Sequence, residues 1–296
     1  MFTMLYPYTY IALAFGWLIS IGIVTACIGV FSSTILLAMT FFGIIRITPL
    51  ITMFNRIMKP IFSTILPDME SNIRASFLVK GSIPTEKSIF TWHPHGLFCT
   101  SHAFHIGTRL TDWSARNIKG VALSTLTWMP FISEMFEYFN AVPSDYDAMK
   151  QTLIDGTSIS VAPGGMREML YPDTALISRR KGIFRLALET GTPLVPVVSV
   201  NEDSLYTLVK VPQVLQDLLE PYDLCVPLPT LKSVLAYLGI LVQPLAKPII
   251  SVVGTPIPVS RIEHPSDADI ATLRSRYAEA LQTLYKAETG RDLIIR

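Results

Sequence analysis

Two histidines one residue apart are the most chemically informative feature of the sequence. His93 and His95 lie in the tetrapeptide His93-Pro94-His95-Gly96, directly after the apolar run 88–92. Side chains alternate along a strand, so both imidazoles point to one side if the extended conformation continues. Pro94 keeps His93 extended, and Gly96 lets the backbone turn or approach a ligand closely. Because imidazole titrates near neutral pH, the tetrapeptide predicts a general base at a strand-to-helix corner.

A second motif places a carboxylate just after a pair of glycines. Gly164 and Gly165 follow a predicted strand that ends near Val161, and Glu168 comes three residues later. The glycines permit a tight turn with accessible backbone N–H groups. Glu168 could belong to a functional site or could merely complement a helix dipole. The motif alone leaves both interpretations open.

Three consecutive cations, Arg179, Arg180 and Lys181, open a predicted helix. The macrodipole favours anions at this end of a helix, so the placement is electrostatically unusual. It becomes favourable if an anionic ligand binds there, because phosphate groups suit both helix N-termini and arginine side chains. The alternative is a solvated basic loop at a membrane surface.

The elements that must position these residues alternate between strand-like and helix-like segments. This alternation predicts an α/β domain with a central mixed sheet flanked by helices. The predicted strands are 88–92, 120–123, 158–162, 194–200 and 249–253. The predicted helices are 97–110, 145–154, 182–190 and 267–287, with Ser144 as the N-cap of the second and Gly191 ending the third. Residues 60–84 are predicted to form a connection.

The N-terminal part of the chain differs sharply in composition from the rest. Of the 296 residues 16% are charged, against roughly 25% in ordinary soluble domains, and the first charged residue is Arg46. A membrane span needs about 20 apolar residues. The pattern predicts a transmembrane hairpin, 8–30 and 34–53, or one span with a re-entrant piece. We therefore divide the chain into a membrane hairpin, 1–55, and an α/β domain, 56–296, which the cations after the hairpin place on the cytosolic side.

Charge and cysteine content exclude several function classes. The net charge of +1 shows no preference for nucleic acid. The three cysteines are too widely spaced for a disulfide framework or a zinc site, and no metal site is expected.

As a set, the motifs resemble the diacylglycerol acyltransferase type 2 family, which includes monoacylglycerol acyltransferases and wax synthases. The resemblance rests on HPHG (93–96), PGGMRE (163–168) and RRKGIFRLALETGTPLVPV (179–197), and it continues through NED (201–203) and VVGTPIPVSRIEHPSDADI (252–270). It implies a fold like that of the glycerolipid acyltransferases. It also implies transfer of an acyl group from acyl-CoA to the hydroxyl of a neutral lipid, with diacylglycerol giving triacylglycerol. Acyl-CoA is then a substrate, and no cofactor is expected.

The resemblance also implies a location and a set of site residues. We expect a multi-pass protein of the endoplasmic reticulum membrane and of lipid droplets, with its catalytic domain facing the cytosol; the sequence leaves homo-oligomerisation open. His95 is expected to be the base, with His93 orienting it or sharing the role, and Glu168 is expected to orient a histidine. The residues expected to bind the acyl-CoA phosphates or the oxyanion are Gly96, Gly164, Gly165, Arg179, Arg180 and Lys181.

Alternatives remain open at this point. The acceptor could be a monoacylglycerol, a long-chain alcohol or a sterol. Thr100 stands five residues after His95, where the broader glycerolipid acyltransferases have the aspartate that orients the histidine. Cys99 could form an acyl-enzyme. His102 and His105 are expected to be packed rather than functional, although with His93 and His95 they could suggest a metal-dependent hydrolase. An inactive, membrane-anchored lipid-binding protein is the non-enzymatic alternative.

Overall fold

A seven-stranded mixed sheet forms the centre of the computed structural model. The structure describes residues 77–94, 99–107, 113, 116–124, 141–171, 173–202, 209, 212, 214, 230 and 248–296. The strands, in spatial order, are β1 (Phe77–Lys80), β8 (Ile249–Val253), β7 (Leu194–Val200), β2 (Ile89–His93), β5 (Ser158–Val161), β3 (Ile118–Ala122) and β4 (Val142–Pro143). Neighbouring strands are parallel except β7 and β8, which are antiparallel.

In the described part of the chain, four helices and a short two-stranded ribbon accompany the sheet. The helices are α1 (Thr100–Gly107), α2 (Tyr146–Ile154), α3 (Lys181–Thr190) and α4 (Asp267–Thr289). A 3₁₀ helix covers Met166–Leu170, and the ribbon pairs β6 (Thr174–Ala175) with β9 (Ile294–Ile295) in parallel. The prediction of a central mixed sheet flanked by helices is confirmed.

β2 lies at the middle of the sheet, and all five of its residues are buried. This is the near-continuous apolar pattern of a strand that is covered on both faces. On one face Phe90 and Trp92 pack with Ile106 of α1. On the other face Ile89 belongs to a larger core that includes Tyr277 of α4. The alternation of side chains therefore directs His93 to the face covered by α4.

Helix ends follow recognisable local signals. Ser266 and Asp269 form a reciprocal capping box at the start of α4. Gly191 ends α3 in the left-handed conformation, at φ +60°, which confirms the predicted stop. The predicted N-cap Ser144 is wrong, because α2 begins at Tyr146 and its N-cap is Asp145. Ser144 Oγ instead accepts from the Ser124 backbone N–H at 3.2 Å.

The predicted strands 194–200 and 249–253 have the observed bounds, and the other predicted elements differ by a few residues at their ends. β1 falls within the segment predicted to be a connection. That prediction is wrong for residues 77–80, because an edge strand of four residues carries too short a pattern to be recognised. No helix of the described part of the chain is long and apolar enough to cross a membrane. The predicted membrane hairpin lies outside the described residues.

Candidate active site

The structure joins His93 to Glu168 through a buried contact. His93 ends β2, and Glu168 lies on the 3₁₀ helix that follows β5, the neighbouring parallel strand. His93 Nδ1 lies 3.0 Å from each carboxylate oxygen of Glu168. The His93 side chain is fully buried, and its Nε2 has no hydrogen-bond partner among the described residues. When Nδ1 donates to the carboxylate, Nε2 carries a lone pair that can accept a proton.

Two local features fix the Glu168 carboxylate. Its Oε2 accepts from the backbone N–H of Leu176 at 2.9 Å. Gly164 approaches it so closely that a Cβ at position 164 would lie 1.7 Å from Oε2. Position 164 therefore has to be glycine for reasons of space. The glycine motif predicts an accessible N–H at Gly165, but in the structure this N–H donates to Ala162 O at 3.3 Å within the turn.

α4 supports the strand beneath His93 from the large core. The Tyr277 hydroxyl donates to Thr91 Oγ1 at 2.7 Å, and the Thr91 hydroxyl donates to Val195 O at 3.2 Å. The Tyr277 ring lies 6.2 Å from the His93 ring. Burial, together with the charge of Glu168, raises the pKa of Tyr277 well above its ordinary value, so its hydroxyl stays protonated.

The three predicted phosphate-binding cations have separate surroundings. Arg180 is the N-cap of α3, and its Nη2 donates to Gly164 O at 3.1 Å, which places it against the turn that leads to Glu168. Lys181 forms an exposed ion pair with Asp267 at 3.1 Å. Arg179 is exposed on the protein surface. The structure thus brings Arg180 close to the His93–Glu168 pair.

His95 and Gly96 lie outside the described residues, so their predicted roles stay predictions. His102 and His105 are described, and the prediction that they are packed is confirmed. His102 Nε2 lies 3.1 Å from Ser160 O, and the His105 ring stacks on Trp92 at 6.0 Å. Burial lowers the pKa of His105 to about 4, with a further contribution from His102. Among the described residues, no group of three potential ligands could hold a metal ion.

A second buried carboxyl group, Glu202, follows β7, and the sequence motifs predict no role for it. The Ser101 hydroxyl donates to Glu202 Oε2, and Ser101 Oγ lies 2.6 Å from Ser199 Oγ. The Ser101 backbone N–H also donates to Glu202 Oε1 at 3.4 Å, so the carboxyl group caps the start of α1. Burial raises the pKa of Glu202 to about 7. The available sequence signal was a carboxylate two residues after the largely apolar strand 194–200.

Cys99 lies just before α1 and is buried. Burial, with the charges of Glu202 and then Glu168, raises the pKa of its thiol well above the ordinary value. The thiolate is the nucleophilic form of cysteine. The described geometry therefore disfavours an acyl-enzyme on Cys99.

A family model described as diacylglycerol acyltransferase matches residues 78–292. The chain is 30% identical over 229 residues to diacylglycerol O-acyltransferase 2 of Xenopus tropicalis, covering 70% of this chain and 63% of that protein. It is 26% identical over 229 residues to acyl-CoA wax alcohol acyltransferase 2 of Homo sapiens, covering 68% of this chain and 66% of that protein. The match thus spans just under two thirds of the length of both relatives.

Among solved structures, the 1-acyl-sn-glycerophosphate acyltransferase of Thermotoga maritima aligns with a TM-score of 0.45 at 13% identity. The alignment covers 86% of this chain and 96% of that chain.

Proposed function

Since the chain belongs to the diacylglycerol acyltransferase family, we propose that it is an acyl-CoA-dependent O-acyltransferase that acts on a neutral lipid, with diacylglycerol as acceptor and triacylglycerol as product. The observation that carries the proposal is the buried His93–Glu168 pair, with His93 Nε2 lacking a partner among the described residues. An imidazole held by a carboxylate is the arrangement that acyl transfer to an alcohol requires, because the hydroxyl must lose its proton as it attacks.

In the proposed reaction one histidine acts first as the base and then as the acid. His93 Nε2 accepts the proton of the acceptor hydroxyl while the hydroxyl oxygen bonds to the thioester carbon. The tetrahedral intermediate then collapses, the carbon–sulfur bond breaks, and the imidazolium returns its proton to the CoA sulfur. Glu168 holds the ring through Nδ1 and stabilises its positive charge between these two steps.

The geometry favours His93 as the base, whereas the family resemblance led us to expect His95. Glu168 touches His93, and a carboxylate on Nδ1 directs Nε2 towards proton transfer. The expectation that His95 is the base stays a prediction, and the variants below separate the two.

Acyl-CoA recognition is proposed at the start of α3. Arg179, Arg180 and Lys181 stand where the helix N-terminus favours an anion. Arg180 also contacts the turn next to Glu168, so phosphate groups bound there would lie on the same side of the molecule as the reacting atoms.

Location and acceptor choice are part of the proposal. The charge-free segment before Arg46 supports insertion in a membrane, and the cations after it support a cytosolic position of the described domain. The family resemblance is what suggests the endoplasmic reticulum membrane and lipid droplets. The similarity to a wax alcohol acyltransferase keeps long-chain alcohols as a second acceptor class, and a monoacylglycerol acceptor is the related alternative.

The test is expression in a yeast strain that lacks all neutral-lipid synthesis, followed by thin-layer chromatography of its lipids and assay of its microsomes with labelled acyl-CoA. We expect restored triacylglycerol, and we expect His93→Ala to lose at least about 100-fold in rate. Glu168→Gln should also lower the rate. His264→Ala, which removes an exposed imidazole, is the matched control.

The outcomes distinguish the assignments. Wax ester or diacylglycerol in place of triacylglycerol would reassign the acceptor but keep the enzyme class. A wild-type rate in His93→Ala together with loss in His95→Ala would return the base to His95. Absence of any acylated product from wild-type microsomes that contain the protein would overturn the proposed function.

A further inference from the structure

A backbone N–H from outside the central sheet holds the Glu168 carboxylate. The donor is Leu176, at 2.9 Å from Oε2, and Leu176 directly follows β6. The same oxygen lies 3.0 Å from His93 Nδ1. The position of this donor therefore affects the orientation of the carboxylate that contacts the histidine.

β6 takes its own position from β9, which is more than 100 residues away in the chain. The Ile294 N–H donates to Asp173 O at 2.8 Å, and the Arg296 N–H donates to Ala175 O at 3.0 Å. In the other direction the Ser178 N–H donates to Arg296 O at 2.7 Å. These three hydrogen bonds hold the chain both before and after Leu176.

Side chains of α4 and of the segment that follows it also hold the ribbon in place. The Tyr285 hydroxyl donates to Asp173 Oδ1, and Arg291 pairs with the same oxygen at 2.9 Å. Gln282 Nε2 donates to Leu293 O at 2.9 Å. The ribbon has two strands of two residues each, and isolated two-stranded ribbons are marginally stable in water. Its geometry therefore depends on these external contacts.

We propose that the β6–β9 ribbon is a positioning element for the active site. By holding Leu176 in place, β9 keeps the Glu168 carboxylate aimed at His93 Nδ1. The inference rests on the proposed function in one respect only, which is that the His93–Glu168 pair does the chemistry. Ile294, Arg296 and Leu176 touch no reacting atom and act through Glu168.

The test compares Ile294→Pro with Ile294→Ala in the full-length protein. Proline removes the N–H that donates to Asp173 O, whereas alanine retains it. Both lose a side chain that is 50% exposed, so the two variants differ in the N–H group and in the fixed φ of proline. We expect Ile294→Pro to lower kcat by between about 10-fold and 100-fold, because small displacements of a catalytic group have effects of this size. The KM for acyl-CoA should stay within about twofold, and Ile294→Ala should keep both constants.

Two further measurements separate positioning from general damage. In a Glu168→Gln background the proline and alanine variants should have the same kcat, because the group through which β9 acts has changed. Hydrogen exchange should become faster in peptides covering 174–178 and stay unchanged in peptides covering β7. A proline effect that persists in full in Glu168→Gln, or equal kcat in Ile294→Pro and Ile294→Ala, overturns the proposal.

A milder variant covers the case in which Ile294→Pro fails to fold. Tyr285→Phe removes the hydroxyl that donates to Asp173, and it should lower kcat less but lose that effect in the Glu168→Gln background. An unchanged kcat in Tyr285→Phe, with unchanged exchange in 174–178, also overturns the proposal. If wild-type protein transfers no acyl group, the proposed function fails, while the exchange measurement still decides whether β9 holds this segment.

Discussion

At the scale of single residues, the site depends on an unusually close approach between Gly164 and Glu168. A Cβ at position 164 would lie 1.7 Å from Glu168 Oε2, 2.2 Å from its Cδ and 2.9 Å from Oε1. The carboxylate cannot move aside freely, because it contacts His93 and accepts a hydrogen bond from the Leu176 N–H. The sequence pattern predicts a tight turn with accessible N–H groups at the glycine pair. In the structure, Gly164 instead provides the space that the carboxylate occupies.

Gly164→Ala is therefore expected to displace Glu168 and to reduce acyl transfer at least about 10-fold, as misplacement of a catalytic group does. Microsomal activity per amount of expressed protein is the measurement. Gly182→Ala is the matched control, because a Cβ there meets nothing within 4 Å and alanine favours helix formation. Full activity in Gly164→Ala would show that Glu168 is not needed in its observed position.

At the scale of elements, α3 joins two regions of the site. Its apolar face is buried in the large core through Ile183, Phe184 and Leu186, which fixes the direction of the helix. Its N-terminus carries Arg180 against the 164–165 turn. The exposed Lys181–Asp267 pair adds little stability, so Lys181 can exchange that partner for a phosphate at small cost.

Arg179→Glu should raise the KM for acyl-CoA about tenfold, which corresponds to about 1.4 kcal/mol, and should leave kcat nearly unchanged. The reason is that Arg179 is exposed at the helix start, whereas the His93–Glu168 pair is buried. Arg185→Glu, an equal charge reversal at an exposed position further along α3, should raise KM much less. Steady-state kinetics with short-chain acyl-CoA measure both. Equal KM values for wild type and Arg179→Glu would move the nucleotide site elsewhere.

At the scale of the whole molecule, two buried carboxyl groups lie near Cys99, and both act on the pKa of its thiol. Glu168 contacts His93 of β2, whereas Glu202 caps α1. Burial of Glu202 makes the stability of the fold depend on pH. Its pKa rises from 4.5 to about 7 on folding, so the folded state holds a proton that the unfolded chain has lost. Glu202 therefore costs stability as pH rises from 4.5 to about 7, by roughly 3 kcal/mol in full.

Glu202→Gln should accordingly become more stable relative to wild type as pH rises from 5 to 8. His105 acts in the opposite direction, because its pKa falls to about 4 and its contribution is lost as pH drops below 6.5. Because variant and wild type share the His105 contribution, it cancels in the difference between their stabilities. Thermal unfolding at several pH values measures it, with the exposed Glu279→Gln as control. A difference in Tm that does not change with pH would contradict the assignment.

The sequence by itself determined the α/β alternation, the positions of β7 and β8, and the candidate residues His93, Glu168 and Arg180. Local patterns suffice for these features, because strand alternation, apolar runs and glycine stops are properties of neighbouring residues. The short strands β1, β6 and β9 escaped prediction because two to four residues carry too little pattern.

Only the tertiary structure decided which of these residues meet. Glu168 reaches His93 because parallel pairing of β2 with β5 brings together two strand ends that are about 70 residues apart in the chain. Glu202 beneath α1 and Leu176 held by β9 depend on similar long-range contacts. Such contacts form when distant segments bury their apolar faces in one core, and no local pattern encodes which segments these will be.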